Sequence, residues 1–291
     1  MKLVRYGAPG AERPGLWLDD HFGPGQAGLL DVRAAAFDIE DFTPDFFARG
    51  HLARLPALLQ EARPAIIAAA GQRLGPPVAR PGTLICLGKN YADHAREFDA
   101  EIPTSPVLFA KAVTALSGPF DPIVIPADAG RVDAEAELAV VIGRRARRVS
   151  EADALACVAG YTVLNDVTDR DAQKQGGQWF RGKSTDTFAP LGPWLLTADA
   201  VPDPHHLRVW SRLNGEPLQD GHSRDLIFRI PYLIAFISRH LTLMPGDVIS
   251  TGTPSGVGFA CQPPRLLQPG DVIEVGVDGV GVLRNPVRAE S

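Results

Sequence analysis

Asp133-Ala134-Glu135-Ala136-Glu137-Leu138-Ala139-Val140-Val141-Ile142-Gly143 begins as acids alternating with alanines and continues as an unbroken apolar run. Side chains alternate across a strand, so Glu135 and Glu137 share one face and point together at the entrance of an element built for burial. Two like charges placed there are costly unless a cation joins them. Taken alone, the pair leaves two readings open: solvated acids at an exposed strand entrance, or part of a metal site.

The same β-rich texture surrounds this stretch. Short runs at Thr83 to Leu87, Val107 to Ala110, Ile123 to Ile125, Tyr161 to Leu164, Leu207 to Leu213, Val248 to Thr251 and Val272 to Val277 read as strands, with Leu138 to Ile142 among them. Asn214-Gly215 reads as a hairpin turn. Helical patterns are few: Leu52 to Ala70, which contains Pro56 and Pro64; Glu151 to Val158, opened by Ser150-x-x-Asp153; and Asp225 to His240, with Leu226, Ile230, Leu233, Ile234 and Ile237 on one face. Helices do not alternate with strands, so a doubly wound parallel sheet fits poorly and an α+β, sheet-dominated fold is expected. Gly75-Pro76-Pro77-Val78-Ala79-Arg80-Pro81-Gly82 is a natural linker. It divides a small N-terminal domain over 1–78 from a larger domain over 79–291.

The 291 residues carry a formal charge of −5 with both signs interspersed, which leaves no electrostatic footprint for nucleic acid or an anionic membrane. Cys86, Cys157 and Cys261 lie far apart, against a disulfide framework or a thiolate zinc site. No apolar leader opens the sequence and no run reaches membrane-spanning length, so a cytoplasmic protein is expected.

A third acid extends the pair. Tyr161-Thr162-Val163-Leu164-Asn165-Asp166-Val167 is an apolar strand interrupted by Asn165 and Asp166, and an acid inside a β-rich run is rarely there for packing. Three carboxylates without His or Cys make a hard oxygen site suited to Mg²⁺, Mn²⁺ or Ca²⁺. In Leu87-Gly88-Lys89-Asn90-Tyr91-Ala92-Asp93-His94-Ala95-Arg96-Glu97, His94 and Glu97 face together on a short helix, as a prepared general base or as a surface ion pair. Gly177-Gln178-Trp179-Phe180-Arg181-Gly182-Lys183-Ser184 satisfies the phosphate-loop expression without the strand before it or the helix after it, so nucleotide binding is rejected. Trp179, Trp194 and Trp210 belong to the core or to a pocket wall.

Five blocks in order resemble the fumarylacetoacetate hydrolase family over about residues 80–285: Asn90-Tyr91-x-x-His94, Glu135-x-Glu137-Leu138, Asn165-Asp166-Val167-x-x-Arg170-Asp171-x-Gln173, Gly182-Lys183-Ser184 and Thr251-Gly252-Thr253-Pro254-x-Gly256-Val257-Gly258. The resemblance implies a mixed β-sandwich roll, a homodimer, and Mg²⁺ or Mn²⁺ on Glu135, Glu137 and Asp166. It further implies catalysis by His94, Glu97 and Lys183, with Tyr91, Arg170, Gln173, Gly252 and Thr253 on the substrate, and Arg170 close to the metal Asp. Asp169 departs from the small residue common at its position, which bears on pocket shape. The implied activity is hydrolysis of a C–C bond in a small 2,4-diketo acid, of the acylpyruvate or diketo-deoxy sugar acid type, to a carboxylic acid and a 2-oxo acid. The same site would serve oxaloacetate decarboxylation or isomerisation of unsaturated 2-oxo diacids. A non-catalytic metal- or metabolite-binding protein is the reading from another class, and the His94-Glu97 pair speaks against it.

Overall fold

The computed structural model describes residues 1–61 and 65–290. The chain opens with β1 (Lys2–Tyr6), β2 (Arg13–Leu18) and β3 (Gly28–Asp31), then α1 (Val32–Ala35), α2 (Pro44–Ala48) and α3 (Leu55–Glu61). Next come β4 (Ile66–Ala68), β5 (Leu74–Gly75), β6 (Leu84–Gly88), α4 (Ala92–Glu97), β7 (Val107–Lys111), β8 (Leu116–Ser117), β9 (Ile123–Ile125), β10 (Val132–Asp133) and β11 (Ala136–Ile142). The remainder is α5 (Glu151–Ala154), β12 (Val158–Asn165), β13 (Thr168–Asp169), α6 (Arg170–Lys174), α7 (Phe180–Lys183), β14 (Ala189–Thr197), β15 (Arg208–Leu213), β16 (Glu216–His222), α8 (Ile230–His240), β17 (Val248–Ser250), β18 (Val272–Val277) and β19 (Gly281–Ala289).

Two sheets carry the architecture, as the expected α+β class requires. The larger runs β4-β3-β2-β1-β14-β12-β11-β17-β6-β7, with β5 on β1 and β8 on β14; the smaller runs β16-β15-β18-β19-β9. Lys2 pairs with Leu196 across β1 and β14, so the N-terminal strands extend the sheet that holds the acids at its centre. Along β11 the alternation of side chains separates two cores. Ala136, Leu138, Val140 and Ile142 pack with Ile273, Val275 and Leu283 of the smaller sheet, while Ala139 and Val141 join Leu30, Phe42 and Leu195 on the other face. Cover on both faces explains why the strand reads as continuous apolar sequence, each fully buried Leu or Val contributing roughly 1.5–3 kcal/mol.

Three expected helices change their limits. Over Leu52 to Ala70, a 3-10 turn spans His51–Arg54 and α3 ends at Glu61, whereas Ile66–Ala68 pairs with β3; Pro64 lies outside the described residues. The open edge of β3 overrides an Ala/Leu-rich composition, because propensity is a weak prior. From Glu151 the helix stops at Ala154 and tightens to 3-10 through Cys157, so Val158 already starts β12. The last helix begins at Ile230, with Pro231 in its first turn where a missing N–H costs nothing. Leu226 instead bridges to Tyr91. The hairpin stands as expected: Asn214 and Gly215 both take positive φ, and Leu213 pairs with Glu216.

Candidate active site

The pairing of β11 with β12 places Ala136 opposite Asn165, which brings Asp166 to the entrance of the acidic strand. Asp166 N–H donates to the Glu135 carbonyl at 2.9 Å, and Glu135 N–H donates to Asn165 Oδ1 at 3.1 Å. Oxygens of Glu135, Glu137 and Asp166 consequently lie within 4.8 Å of one another, all buried. Of the two readings of the acids, the exposed strand entrance is overturned.

Three buried cations are drawn in. Lys183 Nζ, at the end of α7, donates to Glu135 Oε2 (2.7 Å), Asp166 Oδ2 (2.5 Å) and Thr168 Oγ1 (2.8 Å). Gly182 before it is required by space, since a Cβ would lie 2.4 Å from the Gln173 backbone nitrogen of α6. Arg170 Nη2 sits 2.7 Å from both Asp133 Oδ2 and Glu135 Oε1. Lys111, closing β7, donates to Asp166 Oδ1 (2.5 Å) and to the Val167 carbonyl (3.0 Å). Among the described residues Glu137 receives the Ser250 hydroxyl and the Gly252 N–H, the latter at 2.8 Å, and no cation.

This distribution sets the protonation preferences. Burial works to raise the Glu135 carboxyl, but Arg170 and Lys183 outweigh it and hold the group below its usual range. Glu137, buried beside Asp166 and Glu135 without a cation of its own, is pushed well above that range. Burial pushes Lys111 down against the pull of Asp166, whereas for Lys183 the attraction of Asp166 and Glu135 overcomes burial and the ammonium is strengthened. Four buried acids, Asp133, Glu135, Glu137 and Asp166, thus face three buried cations. A hard divalent cation fits this floor: three oxygen donors converge without sulfur or nitrogen, and one carboxylate lacks a countercharge.

Above the floor opens a cavity of about 290 Å³ walled by Phe98, Phe109, Trp179 and Phe259. His94 looks into it from α4 with its Nδ1 3.1 Å from Glu97 Oε2, and Glu97 Oε1 accepts the Gly256 N–H at 2.5 Å. Phe98, just after α4, stacks on Phe259, just after the Thr251–Gly258 loop, with centroids 6.0 Å apart. Gly252 itself needs φ +97°, and a Cβ there would meet the Asn90 Cβ at 2.8 Å.

Of the expected substrate contacts, Arg170, Gln173 and Thr253 line the cavity, whereas Tyr91 and Gly252 do not. Tyr91 packs in the apolar core and does not line the cavity. Gly252 serves Glu137, and Arg170 braces Asp133 and Glu135 and not Asp166. Thr253 lines the cavity, but its hydroxyl donates to the Ala136 carbonyl (2.9 Å) and accepts from Gln219 Nε2 (2.7 Å). Gln173 lines the cavity within 3.5 Å of Arg170. Asp169 does not shape the pocket: it caps α6, accepting the Asp171 and Ala172 N–H groups at 3.0 and 3.1 Å. Sequence reasoning missed Lys111, Asp133 and Gln219. A lysine ending the apolar run Val107-Leu108-Phe109-Ala110 was the available signal for Lys111.

A cavity ending on convergent carboxylates, with an imidazole paired to a carboxylate at its side, has the construction of an enzyme active site. The chain belongs to the fumarylacetoacetate hydrolase family: the family described as fumarylacetoacetate (FAA) hydrolase C-terminal matches residues 83–288. A Burkholderia cenocepacia protein named only as a hydrolase is 44% identical over 283 residues, 97% of this chain and 96% of that one. Three solved structures, each matched over 100% of both chains, are similar: fumarylacetoacetate hydrolase from Exiguobacterium antarcticum (39% identity, TM-score 0.84), 5-carboxymethyl-2-hydroxymuconate delta-isomerase from Mycobacterium smegmatis (35%, 0.77) and maleylpyruvate hydrolase from Sphingobium sp. SYK-6 (33%, 0.80), the last in complex with manganese(II) ion and pyruvate. No helix among the described residues is long and apolar enough to cross a membrane.

Proposed function

We propose that the chain is a Mg²⁺- or Mn²⁺-dependent hydrolase that cleaves a C–C bond in a small 2,4-diketo acid to a carboxylic acid and a 2-oxo acid. The convergence of Glu135, Glu137 and Asp166 under the His94-Glu97 pair carries this reading. Glu135, Glu137 and Asp166 would hold the cation, which would supply Lewis acidity to the oxygens of the oxo acid. Glu97 accepts Nδ1–H of His94 and fixes the tautomer, leaving Nε2 to take a proton from the water that attacks the C4 carbonyl. Lys183 holds Glu135 and Asp166 together and keeps its proton, and Arg170 fixes the other oxygen of Glu135. Gln173 and Thr253 face the same cavity and orient the substrate. A homodimer in the cytoplasm completes the reading.

The isomerase of M. smegmatis, matched over its whole length, favours a second reading in which the same site moves a double bond in an unsaturated 2-oxo diacid. Pyruvate release from acylpyruvates and from oxaloacetate, assayed with Mg²⁺ and with EDTA, tests both. Release from acylpyruvates that EDTA abolishes is expected; release from oxaloacetate alone points to a decarboxylase. No release beside a shifting ultraviolet absorbance of an unsaturated oxo diacid establishes the isomerase in place of the hydrolase.

A further inference from the structure

Strand β17 lies between β11 and β6, and its three residues, Val248, Ile249 and Ser250, are all buried. Ser250 stands opposite Ala139 on one side and Cys86 on the other, in surroundings that no solvent reaches. A hydroxyl in such a strand is destabilising unless a partner takes it. Its partner is Oε2 of Glu137, and the Gly252 N–H donates to the same oxygen at 2.8 Å. Glu137 also lines the cavity, and its Oε1 accepts no hydrogen bond among the described residues.

The other two acids of the floor have both oxygens on cations. Glu135 meets Arg170 through Oε1 and Lys183 through Oε2, and Asp166 meets Lys111 through Oδ1 and Lys183 through Oδ2. Glu137 is therefore the one carboxylate of the three whose two oxygens could close together on an ion, and Ser250 with Gly252 occupies one of them. The Gly252 donor belongs to the backbone, so the hydroxyl is the part of this arrangement that a side chain decides. The distinction matters to the choice of ion. Ca²⁺ takes about six to eight oxygens and readily uses both oxygens of a carboxylate, whereas the smaller Mg²⁺ demands octahedral geometry and keeps several waters.

We propose that Ser250 is a positioning residue that sets ion selectivity: by holding Oε2 it leaves Glu137 a single oxygen for the cation and tilts the floor towards Mg²⁺ and away from Ca²⁺. The inference rests on the reading of the three carboxylates as a divalent-cation site.

Its test is calorimetry of Mg²⁺ and of Ca²⁺ binding to the metal-free protein, comparing wild type with Ser250→Ala, Ser250→Thr and Thr251→Val, with melting temperatures of the same samples. Ser250→Ala should lose about tenfold or more in Mg²⁺ affinity while Ca²⁺ affinity holds or rises, so that the ratio of the two falls by at least about tenfold. Ser250→Thr keeps the hydroxyl and should hold the ratio within about threefold of wild type. Thr251→Val removes the neighbouring buried hydroxyl, which donates to the Leu138 carbonyl at 2.9 Å and not to a carboxylate. It should lower the melting temperature and leave the ratio alone. Equal losses for both ions in Ser250→Ala, or a ratio that Thr251→Val moves as far, would assign the serine to the fold alone and overturn the proposal. So would a Ser250→Thr protein that melts like wild type and discriminates as poorly as Ser250→Ala. Binding of neither ion by wild type defeats the cation reading of the floor itself, and the role of Ser250 falls with it; binding of both with an unmoved ratio defeats the role of Ser250 alone.

Discussion

Two charged clusters lie within the larger sheet's reach, and they differ in how their acids are answered. Near the N-terminus Arg5 grips Asp41 with two bonds of 2.8 Å and reaches Glu12 at 3.3 Å, while Arg73 spans Glu12 (3.0 Å) and Asp121 (2.6 and 2.8 Å). The same oxygens that meet an arginine also take the N–H groups of Gly10, Phe42 and Gly118. Asp41 and Asp121 each meet an arginine fork, Glu12 bridges the two arginines, and each acid has a backbone donor. At the cavity floor three carboxylates crowd together, and Glu137 makes no ion pair among the described residues. Buried ion pairs fasten a fold; like charges gathered without enough countercharge mark a place where something else must bind.

The sharpest break of this comparison comes at the cavity. His94→Ala should lower kcat by about 10²- to 10⁴-fold while calorimetric Mg²⁺ affinity stays near wild type; surviving turnover of the correct substrate would remove His94 as the base. Glu137→Gln should weaken Mg²⁺ binding by more than about 100-fold, yet relief of repulsion from Asp166 and Glu135 should raise the metal-free melting temperature by about 2–4 °C. A lower melting temperature would mean that the floor is balanced without a cation.

The N-terminal cluster should answer in the opposite sense. Arg5→Met strands Asp41 and Glu12 and should cost about 2–4 kcal/mol in urea unfolding, with Mg²⁺ affinity unchanged. The smallest effect concerns Tyr6, whose hydroxyl is pushed up to about 12 by burial and by Asp31. Its folded value lies above the unfolded one, so the stability it contributes is complete below about pH 10 and is lost as the pH rises from there towards 12. Tyr6→Phe should flatten that alkaline fall in melting temperature; an unaltered slope would place the titrating group elsewhere.

Local patterns carried much of this into view from sequence. Alternation placed Glu135 and Glu137 on one face, an interrupted strand pointed to Asp166, and helical spacing joined His94 to Glu97. What stayed hidden depended on distant partners. Lys111 meets Asp166 across 55 residues, and nothing near it in sequence announces an acid. Tyr91 lies within a recognisable block, but the packing of Leu226 against it turns it into the core. Ile66–Ala68 becomes a strand only because β3 offers an edge.

The pairing of Ala136 with Asn165 turns the spacing of the site into a matter of counting. One residue inserted within 136–142 would swing Glu135 and Glu137 towards the opposite core; two would restore their facing but displace them by about 7 Å along the strand from Asp166. Surface loops can lengthen and wall residues can be exchanged as substrates diverge. The stretch from Asp133 to Ile142 can drift in its letters, but its length is locked.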